Sequence, residues 1–214
     1  MSAIRALVVS SSYPRAANDW RGRFIADLVS SLPGENVSVR LWAPPGPLPD
    51  GVTAAMSVDE REWLDRLSQS GGIAARLRSG PVSALTAGGG LLRRLWRLYR
   101  REAADIVHVN WMQNALPLIG TRRPVVVAVL GSDFGLLRLP GMVSMLRIVF
   151  GGRRTVLAPN APWMVPRLTS LFRNVATVQA IPFGVLEALA RLCEALDCEL
   201  QDILIWEAEH GESI

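Results

Sequence analysis

The sequence predicts an α/β fold: a Rossmann-like, mostly parallel sheet with helices on both faces, followed by a short helical C-terminal tail. Two observations predict it. Short apolar runs, typical of strands buried on both faces, alternate along the chain with segments of helical periodicity. The composition, 50% hydrophobic and 20% charged over 214 residues, is that of a globular protein with a full core. Alternating strands and helices imply βαβ units and therefore parallel pairing.

The predicted strands are apolar runs bounded by turn residues. Residues 6–10 form a continuous run that ends in serines and a proline, as expected for a strand buried on both faces. In residues 37–43, Val37, Val39 and Leu41 fall on one face. The remaining predicted strands are residues 106–109, 125–130, 155–158 and 177–181.

The predicted helices fill the intervals between the strands. A helix is predicted over residues 20–32, because Asn18 or Asp19 can cap its start and Pro33-Gly34 ends it. Residues 68–90 are rich in Gly, Ser and Ala and are predicted to form a long, mobile crossing. Helical periodicity predicts further helices over residues 59–67, 91–101, 142–150 and 163–172.

The charge balance changes at about residue 185. Residues 1–185 carry 22 Arg against 11 acidic residues, whereas residues 186–214 carry one Arg against eight acidic residues. Such asymmetry indicates two segments with different roles. We therefore predict a domain over residues 1–185 and an acidic helical tail over residues 186–214.

The predicted helix 91–101 separates apolar from basic residues. Its basic side predicts attraction to an anionic membrane surface, at about 1 kcal/mol for each Arg near the surface. The alternative is an ordinary sheet-covering helix with a solvated basic face. The basic residues are Arg93, Arg94, Arg97, Arg100 and Arg101.

The predicted location is the cytoplasm, with peripheral attachment to the inner face of the membrane as an extension of it. No run of about 18 apolar residues is present, and the N-terminus lacks the long apolar region of a signal peptide. Cys193 and Cys198 are five positions apart on a predicted helix and do not face each other, which favours reduced thiols.

Ligands of parallel α/β sheets bind beyond the carboxyl ends of the strands, so the loops that follow strands are the candidate sites. The first loop brings Ser12, Arg15, Asp19 and Gly22 to the start of a helix, which suits a polar or anionic ligand. It has no GxGxxG dinucleotide motif. The alternative is a long loop with a capped helix.

Two further strand ends carry candidate residues. His108 alternates with buried valines, and Trp111 follows at the strand end, where an indole could stack on a sugar ring; the alternative is a core histidine and a packing tryptophan. After the next strand, Ser132 and Asp133 could bind a hydroxyl group, although Asp133 could equally be an N-cap. No metal-ligand cluster, P-loop or nucleophile motif is visible, so we predict no cofactor and no metal.

Residues 3–185 resemble the N-terminal domain of family 4-type glycosyltransferases with the GT-B fold. Four stretches carry the resemblance: SSSYPRAANDWRGRFIADL, DIVHVNWMQNALPL, LGSDFGLLRLPGM, and LAPNAPWMVPRLTSLF leading to IPFGV. In that family the N-terminal domain mainly holds the acceptor. The resemblance implies that the loops around Ser12, Gly22, Trp111 and Asp133 line the acceptor side, for a sugar or glycolipid. Where many members carry a histidine, this chain reads Val129-Leu130-Gly131, so no catalytic residue is assigned.

The family's second domain, which binds the nucleotide-sugar donor through a basic residue and a Glu pair, has no counterpart in residues 186–214. The resemblance therefore implies the acceptor-binding half of a truncated hexosyl transferase of glycan or glycolipid synthesis. We expect it to be inactive alone and to need a separate donor-binding domain; whether the chain is an enzyme stays open.

The tail has a resemblance of its own. The stretch LEALARLCEALDCELQDILIWE is similar to the last helices of Cro/C1-type helix-turn-helix regulators. A transcriptional regulator, or a fusion with one, is thus the alternative function. Eight acidic residues make the tail a poor phosphate binder, so binding to nucleic acid is not expected.

Overall fold

The computed structural model describes residues 3–16, 18–69 and 81–181. Its centre is one seven-stranded sheet in which every pairing is parallel. The strand order is β3-β2-β1-β4-β5-β6-β7, which confirms the predicted Rossmann-like α/β class. The strands are β1 Ile4–Val9, β2 Val37–Trp42, β3 Val52–Ala54, β4 Ile106–Asn110, β5 Val125–Val129, β6 Thr155–Pro159 and β7 Thr177–Val178.

Helices connect the strands and cover both faces of the sheet, as predicted. The α-helices are α1 Arg23–Ser31, α2 Val58–Gln69, α3 Pro81–Arg101, α4 Asp133–Leu136, α5 Met142–Gly151 and α6 Val165–Phe172. Short 3-10 helices occur at Leu32–Glu35, Met112–Leu118 and Pro162–Met164. No helix in this part of the chain combines the length and the apolarity needed to cross a membrane.

Two buried clusters lie on opposite faces of the sheet. On one face, α1 packs Ile25 and Val29 against the strand residues Val8 and Leu41. On the other, side chains of α2, α3, α5 and α6 cover the alternate positions of the strands. Large members of this second cluster are Leu64, Leu95, Tyr99, Phe150 and Phe172. The pleat of β1 and β2 therefore divides their apolar residues between two helical layers.

The first helix begins later than the sequence predicts. The prediction that Asn18 or Asp19 caps it is wrong: α1 starts at Arg23 after Gly22, which has φ 71° and provides no side-chain cap. Asp19 instead accepts hydrogen bonds from the backbone N–H groups of Arg15 and Arg21. Its carboxylate thus closes a local turn, which competes with a capping role.

The prediction of a long, mobile crossing between secondary-structure elements over residues 68–90 is wrong at both ends of this range, because both ends are helical. Helix α2 continues to Gln69, and α3 already begins at Pro81, where a proline fits the first helical turn. The two helices are in contact inside their spans, where the Arg94 guanidinium of α3 lies over the Trp63 ring of α2, 4.3 Å from its centroid. The low helix propensity of the glycines at positions 88–90 therefore does not prevent α3 from forming.

Helix α2 starts with a reciprocal capping arrangement. The Ser57 backbone N–H donates to Glu60 Oε2 at 2.9 Å, and the Glu60 N–H donates to Ser57 Oγ at 3.3 Å. Glu60 is 5% exposed and also accepts two hydrogen bonds from Arg101 of α3, at 2.7 and 3.2 Å. Burial opposes ionisation of Glu60, but the bonds from Arg101 and Ser57 outweigh it and lower its pKa.

We expect Glu60→Ala to lower the free energy of unfolding by about 2 kcal/mol, because it removes a helix cap and a largely buried ion pair. Chemical denaturation at neutral pH measures the change. Glu62→Ala is the matched control: Glu62 lies on the same helix and its side chain is 63% exposed. Equal stability of the two variants would contradict the assigned role of Glu60.

One compact unit comprises Met1–Ile181, and a second comprises Pro182–Ile214. The second unit lies outside the described residues. The predicted boundary at residue 185, the helical tail over residues 186–214 and the thiols of Cys193 and Cys198 therefore stay predictions.

Candidate functional site

The order of the strands reverses next to β1. From β1 the chain builds β2 and β3 on one side, then returns to place β4 on the other side. Loops that leave β1 and β4 therefore diverge and open a crevice beyond the carboxyl ends of these two strands. This edge receives residues 10–16 and 18–22 from the first loop and Trp111 from the second, where the sequence predicts candidate ligand residues.

The loop after β1 is held by hydrogen bonds and by two glycines. Buried Ser10 Oγ accepts the Ser12 N–H at 3.0 Å and donates to the Ser12 carbonyl at 2.5 Å. A Cβ on Gly22 would lie 2.9 Å from the Tyr13 backbone, and one on Gly46 would lie 2.1 Å from the Pro14 carbonyl oxygen. The segment from Ser12 to Pro14 thus lies against two glycine backbones, at positions where a side chain would not fit.

Arg15 and Asp19, two predicted ligand residues, already have protein partners. The Arg15 guanidinium forms an ion pair with Asp65 of α2. The Asp19 carboxylate closes the turn described above, and the hydrogen bonds from the Arg15 and Arg21 backbone lower its pKa. Both residues therefore fix the far end of the first loop.

Trp111 stands at the end of β4 with an uncommon backbone conformation. Its φ of 67° and ψ of 133° lie in a region that favours glycine. The backbone N–H of Trp111 donates to the Ala128 carbonyl of β5 at 3.1 Å, and its ring meets Phe24 of α1 edge-on at 6.4 Å. The backbone of Trp111 is thus bonded to β5, whereas its partly buried indole contacts Phe24 of α1.

Asp133 connects two neighbouring loops of the edge. It is 1% exposed, and its carboxylate accepts the Met112 N–H at 2.9 Å and the Leu130 N–H at 2.8 Å. Burial raises its pKa to about 6, and the two backbone hydrogen bonds partly offset that effect. Neighbouring Ser132 is exposed at the same edge.

His108 lies within β4 rather than at its end. The register places it between Val8 of β1 and Val126 of β5, two residues before the edge. Its Nδ1 atom is buried and has no hydrogen-bond partner among the described residues. Burial lowers its pKa to about 4, so the ring is neutral at physiological pH.

The predicted residues therefore divide into two groups. The structure brings Ser12 and Gly22 together, joins Trp111 to them through Phe24, and joins Asp133 to the Trp111 loop through Met112. It does not bring His108 to the edge, and it engages the Arg15 guanidinium with α2.

Two asparagines add amides to this edge. Asn110 is fully buried at the end of β4 and donates through Nδ2 to the Val9 carbonyl at 3.2 Å. Asn160 directly follows β6, and its N–H donates to the Val129 carbonyl. Within the described residues, the Oδ1 atoms of both are buried without a partner. Asn160 is not among the residues predicted from the sequence, although its position directly after a strand is the signal that could have identified it.

The half of the domain that contains β4 to β7 is strongly basic. Between residues 106 and 181, Asp133 is the only acidic residue, against eight arginines. Because Asp133 is buried and bonded to backbone, it contributes little negative potential at the surface. Five of these arginines precede β5, β6 or β7, so most of this charge lies toward the amino ends of the strands and not at the carboxyl edge: Arg122, Arg123, Arg153, Arg154 and Arg173.

No protein-family model matches this chain, and no curated protein matches it in sequence. Among residues 3–16, 18–69 and 81–181, no group of three or more His, Cys, Asp or Glu side chains could hold a metal ion.

Proposed function

We propose that this domain is the acceptor-binding domain of a nucleotide-sugar-dependent glycosyltransferase of the GT-B type, acting in glycan or glycolipid synthesis. The observation that carries the proposal is the reversal of strand order between β1 and β4, the position at which ligands of parallel α/β sheets bind. Serine hydroxyls, amides and an indole lie at this edge of the sheet.

The chemistry of the edge fits a sugar. A hydroxyl-rich ring needs hydrogen-bond acceptors and donors at several angles together with an apolar surface for its C–H face. Ser12 is partly exposed, Trp111 presents a partly buried indole, and Asn110 supplies a buried Oδ1 without a partner among the described residues. The preformed first loop reduces the entropy lost on binding.

Transfer requires the donor and the acceptor to be held together. In the resembled family the donor belongs to a second domain. We therefore expect residues 1–214 by themselves to bind acceptor sugars, to bind nucleotide sugars poorly, and to catalyse no transfer until a donor-binding domain is supplied.

The test compares two ligand classes on the whole chain. Titration with methyl hexosides and with a polyprenyl-phosphate sugar, followed by ligand-observed NMR, should detect binding, whereas calorimetry with uridine- and guanosine-diphosphate hexoses should detect none. Micromolar binding of a nucleotide sugar, or no binding of any acceptor, would contradict the proposal.

Trp111→Ala should weaken acceptor binding about tenfold, a loss of about 1.4 kcal/mol, because it removes the stacking surface. Trp96→Ala is the matched control: Trp96 is 45% exposed on α3, away from the edge. Circular dichroism checks that both variants are folded. Equal affinity of the two variants would remove Trp111 from the site.

A further inference from the structure

A cavity of about 170 Å³ lies between the first turn of α2 and the second half of α3. Four arginines of α3 line it: Arg93, Arg94, Arg97 and Arg101. These residues stand at positions i, i+1, i+4 and i+8, a spacing that places them along one side of a helix. The cavity shares no residue with the edge described above and does not depend on the proposed function.

Two of the four guanidinium groups are fixed in place. Arg101 donates to Glu60 and, at 2.6 Å, to the Ala55 carbonyl. Arg94 lies over the Trp63 ring, 4.3 Å from its centroid, and donates to the Gly90 carbonyl at 3.1 Å. Arg94 uses one of its five N–H donors in this way, so donors remain there for a ligand. Arg101 donates three hydrogen bonds and its Nε lies 3.6 Å from Glu102 Oε1, so it chiefly fixes the cavity wall.

The other two guanidinium groups are exposed. Arg93 and Arg97 have no ion pair or hydrogen bond within the described part of the chain. They stand four residues apart, and Arg97 and Arg101 repeat that spacing, which places like charges side by side on the helix. The sequence prediction of one common basic face is thus refined: Arg100 points elsewhere and stacks on Trp96 at 4.0 Å.

The charge of the cavity is positive. Its two acidic lining residues are Asp59 and Glu60, and the Glu60 carboxylate is already bonded to Ser57 and Arg101. Four guanidinium groups against two carboxylates leave two positive charges. Burial lowers the pKa of Arg94, and Arg93 and Arg97 lower it further despite the opposing effect of Glu60.

Helix stability alone does not account for this arrangement. The helix dipole favours cations in the last turn, which covers Arg100 and Arg101 but not Arg93, Arg94 or Arg97. Like charges four residues apart destabilise a helix by about 0.2–0.5 kcal/mol per pair. A bound anion would convert this repulsion into charge-assisted hydrogen bonds.

We propose that the cavity between α2 and α3 binds a phosphate group, either on a soluble phosphomonoester or on a phospholipid headgroup. Arg94 and Arg101 form its preorganised floor, and Arg93 and Arg97 close over the ligand. The forked geometry of guanidinium suits two oxygens of one phosphate, and the net charge of the cavity matches a dianion.

The experiment uses the whole chain with two probes. Inorganic phosphate and pyrophosphate are titrated and followed by ³¹P NMR, and vesicles of phosphatidylcholine with or without phosphatidic acid are sedimented with the protein. In Arg93→Gln with Arg97→Gln, affinity should fall at least about tenfold, since two charge-assisted bonds are lost. The control, Arg138→Gln with Arg147→Gln, removes the same charge from two exposed residues elsewhere and should leave affinity unchanged.

Each outcome decides the proposal. Binding of soluble phosphate that Arg93→Gln with Arg97→Gln abolishes supports the site with a soluble ligand. Binding only to phosphatidic acid vesicles, lost in the same variant, supports it with a lipid headgroup. Absence of binding to both probes, or equal losses in both double variants, would overturn it, because equal losses indicate a diffuse basic surface.

Discussion

Replacement of Gly46 by alanine should lower the free energy of unfolding by about 3 kcal/mol, the upper part of the range for overpacked sites. A Cβ at this position would lie 2.1 Å from the Pro14 carbonyl oxygen and 2.8 Å from Cδ1 of Tyr13. The first obstacle is backbone, so no rotamer change relieves it. Urea denaturation measures the loss, and acceptor binding should weaken in parallel because the first loop must move.

Two comparisons test whether Gly46→Ala destabilises the protein by displacing the first loop, which lies against Gly22 and Gly46. Gly22→Ala should also destabilise, since it combines φ 71° with a Cβ 2.9 Å from the Tyr13 backbone. Gly131→Ala, at the same edge of the sheet, should be nearly neutral, because a Cβ there meets nothing within 4 Å. If Gly46→Ala had the same urea midpoint as the unsubstituted protein, Gly46 would not be holding the first loop in place.

The second large expected effect is on the pH dependence of stability, to which Asp133 and His108 contribute with opposite signs. The pKa of Asp133 is raised from 3.8 to about 6, so its contribution to stability is complete below pH 3.8 and is lost as pH rises through about 6. The pKa of His108 is lowered from 6.5 to about 4, so its contribution is complete above pH 6.5 and is lost as pH falls through about 4. Each of these contributions to the free energy of unfolding amounts to about 3 kcal/mol.

The two contributions should nearly cancel between pH 4 and 6.5, and single substitutions should separate them. In His108→Leu, stability should fall as pH rises across this window, since the contribution of His108 no longer offsets that of Asp133. In Asp133→Asn, stability should rise with pH, since the contribution of Asp133 no longer offsets that of His108. Urea midpoints at several pH values measure both slopes. Parallel slopes in the two variants would show that the assigned burial of these groups is wrong.

Much of the fold could be predicted from the sequence because the central strands are buried on both faces. The run Ala6–Val9 and the run of β5 have no other stable location than the middle of a parallel sheet. Strand β3 was missed, because three residues at an edge carry no periodic signal. The start of α3 was missed, because the glycines at positions 88–90 conceal a helix that contact with Trp63 stabilises.

The candidate site was harder to predict than the fold. Its position follows from the rule that ligands of parallel α/β sheets bind beyond the carboxyl ends of the strands. The hydrogen-bond or ion-pair partner of each side chain, however, depends on contacts between residues that are distant in sequence. Arg15 pairs with Asp65, and Asp133 binds the backbone of Met112. Neither partner has a local signature, so sequence reasoning could assign these residues to the edge but not state what their polar groups do there.

The backbone at Trp111 has a further consequence. A glycine at this position would remove local strain of about 1–3 kcal/mol, yet it would also delete the indole. Substitutions there should therefore separate two properties that usually change together: Trp111→Gly should leave the fold at least as robust as Trp111→Ala does, while both lack the ring. At the end of β4, Trp111 thus keeps an aromatic surface although its backbone conformation is strained.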